Sequence, residues 1–201
     1  MSGEWPDPAV PPHQAAPPSI VRLALVFYAL LMGAAVLWGV VAGRSLLFAT
    51  PEAEERGVAL VEDLIVGGLA GGLIVLVSRL LTLQTRWGDA LGKLLGAVLG
   101  PLSWAECLLL AVLRGVAEEA FFRGALQPAV GWVAASLLFG LAHFAPRKEL
   151  LPWTGFTVAS GFLLGALFDR TGNLIAPVFA HFLINAVNLR FLAVRYGNPH
   201  R

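Results

Sequence analysis

Apolar runs of membrane-spanning length dominate this chain. A spanning helix needs about 20 mainly apolar residues. Runs at 20–42, 58–81, 104–126, 129–145, 154–168 and 174–194 approach or meet that length. They predict an all-α, polytopic membrane protein with about six transmembrane helices. Residues 82–101 differ, because Arg86, Asp89 and Lys93 punctuate the leucines; that pattern predicts an interfacial amphipathic helix. Only 13% of residues are charged, against about 25% in a soluble domain. The net charge of +1 gives no sign of nucleic-acid binding, so the expected partners are membrane lipids and a protein or peptide.

No repeat is visible, and one helical membrane domain over 19–196 is the simplest organisation. Residues 1–18 hold six prolines and little apolar periodicity, which predicts a disordered N-terminal tail; 197–201 form a short C-terminal tail. The N-terminal segment lacks the basic start and small-residue cleavage site of a secretory signal, so the first apolar run reads as a retained span. The single Cys107 forbids an internal disulfide and reads as a small buried hydrophobe. With six spans and the N-terminus inside, Arg22, Arg79, Arg86, Lys93, Arg147, Lys148, Arg190, Arg195 and Arg201 fall on the inner side, and Arg44, Arg56 and Arg170 on the outer. The positive-inside rule then puts both termini in the cytoplasm. The preference for arginine over lysine, with abundant Ala and Gly, suggests a bacterial inner membrane.

Against this apolar background, the string Ala117-Glu118-Glu119-Ala120-Phe121-Phe122-Arg123 is unusual. A charge at the centre of a membrane helix is penalised by roughly 2.5–3.5 kcal/mol on insertion scales, which makes such a cluster a functional-site hypothesis. Glu119 and Arg123 are four residues apart and share a helix face, as do Arg114 and Glu118. Glu118 and Glu119 point about 100° apart, so one carboxylate can be clamped while the other faces a cavity. A purely structural clamp between helices is the competing reading, in a non-enzymatic immunity or maturation factor or a small transporter.

Two further apolar runs carry polar groups. His143 lies one turn after Phe139 at the end of the fourth, and His181 and Asn185 lie one turn apart in the sixth. Taken in order, Glu118-Glu119-x-x-x-Arg123, Phe139-x-x-x-His143 and His181-x-x-x-Asn185 resemble the motif set of the CPBP family. That family comprises type II CAAX prenyl proteases, bacteriocin-processing and self-immunity proteins, and related intramembrane endopeptidases. The resemblance covers about 104–190. It implies a glutamate-type peptidase in which Glu118 activates a water with help from His143. Glu119 and Arg123 would position Glu118, and His181 and Asn185 would stabilise the oxyanion. It implies no cofactor, and a protein or peptide substrate that is lipid-modified or carries a C-terminal sorting tail.

A zinc-dependent mechanism using Glu118, His143 and His181 is the chemical alternative, since a catalytic zinc needs only three protein ligands. The His-Glu-x-x-His pattern is absent, however. Span arithmetic raises one conflict. Glu118 and His143 would each lie about 21 Å along successive helices running in opposite directions, and so at different depths. The conflict predicts either a buried reversal around 124–128 or a steeply tilted fourth segment. Gly68, Gly71 and Gly72 are candidates for close helix packing in the second span.

Overall fold

The computed structural model describes residues 20–144 and 150–197. The proline-rich tail, Arg147, Lys148 and the last four residues lie outside the described residues. Each apolar run forms helix, in the order α1 (Ile20–Ala42), α2 (Pro51–Arg56), α3 (Leu60–Gln84), α4 (Arg86–Leu99) and α5 (Trp104–Glu119). A π-helical segment (Ala120–Leu126) continues α5 into α6 (Gln127–Val130), followed by α7 (Trp132–Ala142), α8 (Leu151–Thr171) and α9 (Ile175–Tyr196). Local chemistry sets several of these limits. Ser103 and Glu106 form a reciprocal capping box that starts α5, which satisfies donors a helix leaves open at its first turn. Gly131 at φ +85° separates α6 from α7, and Gly172 at φ +76° ends α8, both in a region where L side chains are disfavoured.

The expected count of six spans is not reproduced. Among the described residues, four helices are long and apolar enough to cross a membrane, namely α1, α3, α8 and α9. A fifth is gained if α4 and the segment Trp104–Val130 count together, although they meet at a bend of 101°. The fourth apolar run yields only the 11-residue α7, about 16 Å long and half the hydrocarbon thickness. Its helix begins after the Gly131 break and ends before His143, which removes the span-length reading. Within residues 82–101, Arg86–Leu99 form a separate helix with an apolar face while 82–84 still belong to α3, and the bend of α4 away from α5 fits an interfacial position.

Ile20, Val21 and Ala24 pack with Leu102, Leu189 and Ala193, so α1 and α5 start where α9 ends. At the opposite end, Phe48 pairs with Asn173, and Asn173 Nδ2 donates to buried Asp63 Oδ2 at 2.9 Å. The end of α1, the start of α3 and the α8–α9 turn therefore meet there. Helices α3 and α9 run parallel, at very close range. A Cβ on Gly67 would come within 2.5 Å of the Ala176 carbonyl oxygen, and one on Gly71 within 2.8 Å of that of Ala180. Of the three glycines expected at this contact only Gly71 makes it; Gly68 meets a Phe179 ring at an ordinary 3.5 Å, and Gly72 has open space. Small residues four apart allow backbones to touch where no hydrophobic drive between helices exists in lipid.

Gly67→Ala should lower the stability of the detergent-solubilised protein by about 1–3 kcal/mol through overpacking. Gly72→Ala should leave it unchanged or raise it by up to about 1 kcal/mol through helix propensity. Thermal melts of both variants check the pair, and an equal response would contradict the close α3–α9 contact.

Candidate active site

The helical path continues from Trp104 to Val130 and reverses only at Gly131, so Glu118 and His143 lie at about equal distances from the turn at 1.5 Å per residue. A π-helical turn lies within this path. Gln127 N–H bonds the Phe122 carbonyl five residues back, and Arg44 NH2 donates to the Ala125 carbonyl at 2.7 Å. Gly124 lets the segment press against the loop after α1, where a Cβ would meet the Leu46 carbonyl oxygen at 2.6 Å. The reversal expected around 124–128 is thus buried, but helical; the chain turns only at Gly131. Non-α backbone at depth is tolerated where it is enclosed by protein, and π turns often mark functional sites.

Glu119 and Arg123 form the buried base of the site, 0% and 1% exposed. Arg123 NH1 donates to Glu119 Oε1 at 2.9 Å, and NH2 donates to the Gly161 carbonyl of α8 at 3.0 Å. Its guanidinium lies 4.3 Å from the centre of the Phe139 ring. The same Glu119 oxygen accepts a 2.6 Å hydrogen bond from His181 Nδ1. A carboxylate can only accept here, so the proton sits on Nδ1 and Nε2 is turned toward Glu118. Four elements (α5, the π segment, α8 and α9) are tied through this one carboxylate.

Glu118, 4% exposed, is held at one oxygen only. Its Oε1 accepts from Arg114 Nε at 3.2 Å and from the Tyr28 hydroxyl at 3.1 Å. Its Oε2 makes no hydrogen bond and faces two imidazoles, with His143 Nε2 at 3.7 Å and His181 Nε2 at 3.8 Å. His143 Nδ1 lies 2.8 Å from the Phe139 carbonyl. A carbonyl cannot donate, so Nδ1 carries the proton and Nε2 accepts from Arg114 NH2 at 3.2 Å. Arg114 therefore fixes the base and the first imidazole together. Asn185 is buried on the α9 face beyond His181, and its Nδ2 has no hydrogen-bond partner.

All six residues named from the motifs are brought to one region, and the conflict in depth between Glu118 and His143 disappears. Tyr28 was not foreseen, because a hydroxyl among the leucines of the first run has no spacing relation to Glu118, 90 residues away. Arg114 was visible as a partner of Glu118 but not of His143. Among the described residues no group of three or more His, Cys, Asp or Glu side chains is placed to hold an ion. The Arg114 guanidinium, already bonded to both Glu118 and His143, would repel a divalent cation there.

An apolar cavity of about 190 Å³ reaches this cluster from the side of α4. Leu91, Leu95, Trp153 and Phe156 contribute to its wall, and Arg114 and Asn185 are its polar members next to the site.

A family model described as type II CAAX prenyl endopeptidase Rce1-like matches residues 100–187. That Rce1-like segment contains both glutamates, Arg123, both histidines and Asn185, but not Tyr28. Human CAAX prenyl protease 2 is 30% identical over an alignment covering 64% of this chain and 48% of that protein. The uncharacterized protein YpbD of Bacillus subtilis is 43% identical, over 44% of this chain and 48% of its own length. The chain thus spans about half the length of the curated relatives it matches. No solved structure matches it.

Arg123→Ala would leave Glu119 buried without its cation, a loss of about 3–5 kcal/mol for a broken buried pair. The variant should be recovered in low yield or with a sharply lowered melting temperature. Glu118→Gln keeps the shape and an acceptor oxygen for Arg114 Nε and the Tyr28 hydroxyl, and Arg114 is itself partly exposed, so it should lose far less stability. Size-exclusion profiles and melts of the two variants side by side check this contrast.

Proposed function

We propose that this protein is an intramembrane endopeptidase in which Glu118 activates a water for attack on a substrate peptide bond. The observation that carries the reading is the divided carboxylate of Glu118. One oxygen is anchored by Arg114 and Tyr28, and the other is free and faces the Nε2 atoms of His143 and His181. Glu119 Oε2 is also without a hydrogen-bond partner, but it is the free oxygen of Glu118 that two imidazole Nε2 atoms face. Groups 3.7–3.8 Å apart are too far for direct hydrogen bonds and suit a bridging water.

In the proposed reaction the water is held by Glu118 Oε2 and by His143 Nε2, which exchanges its 3.2 Å bond from Arg114 NH2 for one from the water. Glu118 takes one water proton as the oxygen bonds to the carbonyl carbon, with no covalent enzyme intermediate. The carbonyl oxygen gains the negative charge and is met by Asn185 Nδ2–H, one helical turn from His181. Preorganised donors of this kind contribute roughly 3–4 kcal/mol. The C–N bond then breaks, and the amine leaves with the proton returned by Glu118. Glu119 and Arg123 hold His181 and the α5 backbone in register. No metal is needed in these steps.

The apolar cavity beside Arg114 and Asn185 suits a substrate with a hydrophobic portion, either a lipid-modified chain or a membrane-embedded tail. We assign both termini to the cytoplasmic side. The supporting observation is that Arg22, Arg79, Arg86, Lys93, Arg190 and Arg195 belong to helix ends that meet at one end of the bundle, whereas Arg44, Arg56 and Arg170 belong to the other.

A quenched-fluorescence peptide panel, run on purified protein, tests the reading. Wild type should cleave with or without chelator. Glu118→Gln and His143→Ala should lose activity while remaining folded. Activity lost with chelator and restored by zinc would replace this mechanism with a metal one, and undiminished cleavage by Glu118→Gln would overturn the catalytic role. Tyr28→Phe should lower kcat by about tenfold, the equivalent of roughly 1.5 kcal/mol for one hydrogen bond to a charged group, with little change in KM. An unchanged kcat would remove Tyr28 from the positioning set.

A further inference from the structure

Away from the glutamate site, three guanidinium groups converge where α3 and α9 end and α5 begins. Arg79 comes from α3, and Arg190 and Arg195 from α9; with Trp104 they line an open pocket of about 550 Å³. None of the three forms an ion pair among the described residues. Nor are they loose. Arg79 NH2 donates to the Val187 carbonyl at 2.9 Å, and its guanidinium lies 3.6 Å from the centre of the Phe191 ring. Arg190 NH1 donates to the Leu102 carbonyl at 3.1 Å and lies 5.2 Å from the Trp104 ring. Arg195 bonds only the Tyr196 hydroxyl, at 3.1 Å, and also sits beside Phe191.

The acidic groups nearby are already engaged. Asp89, within electrostatic reach of Arg195, is bonded by Lys93 Nζ and the Tyr196 hydroxyl, each at 2.8 Å. Glu106 closes the capping box with Ser103. Three cations fixed around one pocket without a counter-ion repel each other, and an anion seated among them relieves that repulsion.

The depth of the pocket identifies the kind of anion. Counting from the far ends of their own helices, Arg79, Arg190 and Arg195 lie about 22–30 Å along the axis at 1.5 Å per residue. A hydrocarbon layer is about 30 Å thick, so the three reach the headgroup level at one boundary. The pocket flank is apolar and open to the surroundings, with Val187, Val194 and Trp104 exposed at 38%, 52% and 56%. Tryptophan is enriched at that level, and the valines offer a wall for an acyl chain. Guanidinium groups match phosphate oxygens in geometry as well as charge.

We propose that this pocket binds the phosphate of an anionic phospholipid, with its acyl chain along the α9 valines. The pocket shares Phe191 with the wall of the apolar cavity beside Arg114, but its three arginines bond the Val187 and Leu102 carbonyls and the Tyr196 hydroxyl rather than Glu118, His143 or His181.

Native mass spectrometry of the full chain, with phosphatidylglycerol and phosphatidylcholine offered in equal amounts, reads the site directly. Wild type should retain phosphatidylglycerol at least several-fold over phosphatidylcholine. Arg195→Gln, an exposed residue whose loss leaves both carbonyl contacts intact, should reduce that preference, and Arg79→Gln/Arg190→Gln should abolish it. Arg170→Gln, a charge removed from the opposite end, should not alter it. Equal retention of the two lipids by wild type would overturn the proposal, as would an unaltered preference in Arg195→Gln. Displacement of the lipid by millimolar inorganic phosphate would overturn the lipid assignment in favour of a free-phosphate site.

Discussion

A single buried carboxylate, Glu119, organises the centre of this protein. It receives Arg123 from the π segment and His181 from α9, and Arg123 passes the connection to the α8 backbone at Gly161. Removing charges from water into an apolar interior is expensive, and the expense is offset only when partners are close and their remaining donors are satisfied. Arg123 meets those conditions through a carboxylate, a carbonyl and an aromatic face. The network has geometric value as well. It sets the His181 ring so that one nitrogen is occupied and the other faces Glu118.

Glu118 stands one residue away in a different situation. Its two oxygens have unlike surroundings, and that asymmetry follows from helix geometry. Adjacent residues project about 100° apart, so one glutamate can look into the α8–α9 packing while the next looks toward α1 and α7. The α1 contact adds Tyr28, and the loop after α1 closes on Gly124. The first helix is therefore part of the site's construction, although it lies outside the segment that carries the family likeness. The Gly131 break turns the short α7 back along the preceding helix, so that Glu118 and His143, at similar distances from that turn, reach one level.

The basic end of the molecule illustrates another consequence of packing. Arg79 and Arg190 are more than a hundred residues apart in sequence, yet parallel packing of α3 with α9 sets them around one pocket. The glycine contacts that permit such close approach, at Gly67 and Gly71, thus shape a surface several turns away. On the far side of α9, the amphipathic α4 lies near the same bundle end, with Gly92 and Gly96 against Tyr196.

Much of this was legible in the chain. Apolar runs of spanning length dictate helices, because helical hydrogen bonding satisfies the backbone locally, and every run is helical in the structure. The i, i+4 pairs Arg114–Glu118 and Glu119–Arg123 follow from helical periodicity, and both form. Resemblance in three short motifs singled out Glu118, His143, His181 and Asn185, which do come together. Other features depend on contacts distant in sequence. No local pattern reveals that Tyr28 reaches Glu118, that Arg114 bridges to His143, or that Gly67 rather than Gly68 meets α9. The span count failed for a related reason: hydropathy measures how apolar a segment is, whereas one glycine in a positive-φ conformation decides where a helix stops and how deep it lies. The sequence by itself determined the helices, their local ion pairs and the residue types of the site. Only tertiary packing decided which oxygen of Glu118 stays free, because that depends on donors delivered by helices the sequence does not relate.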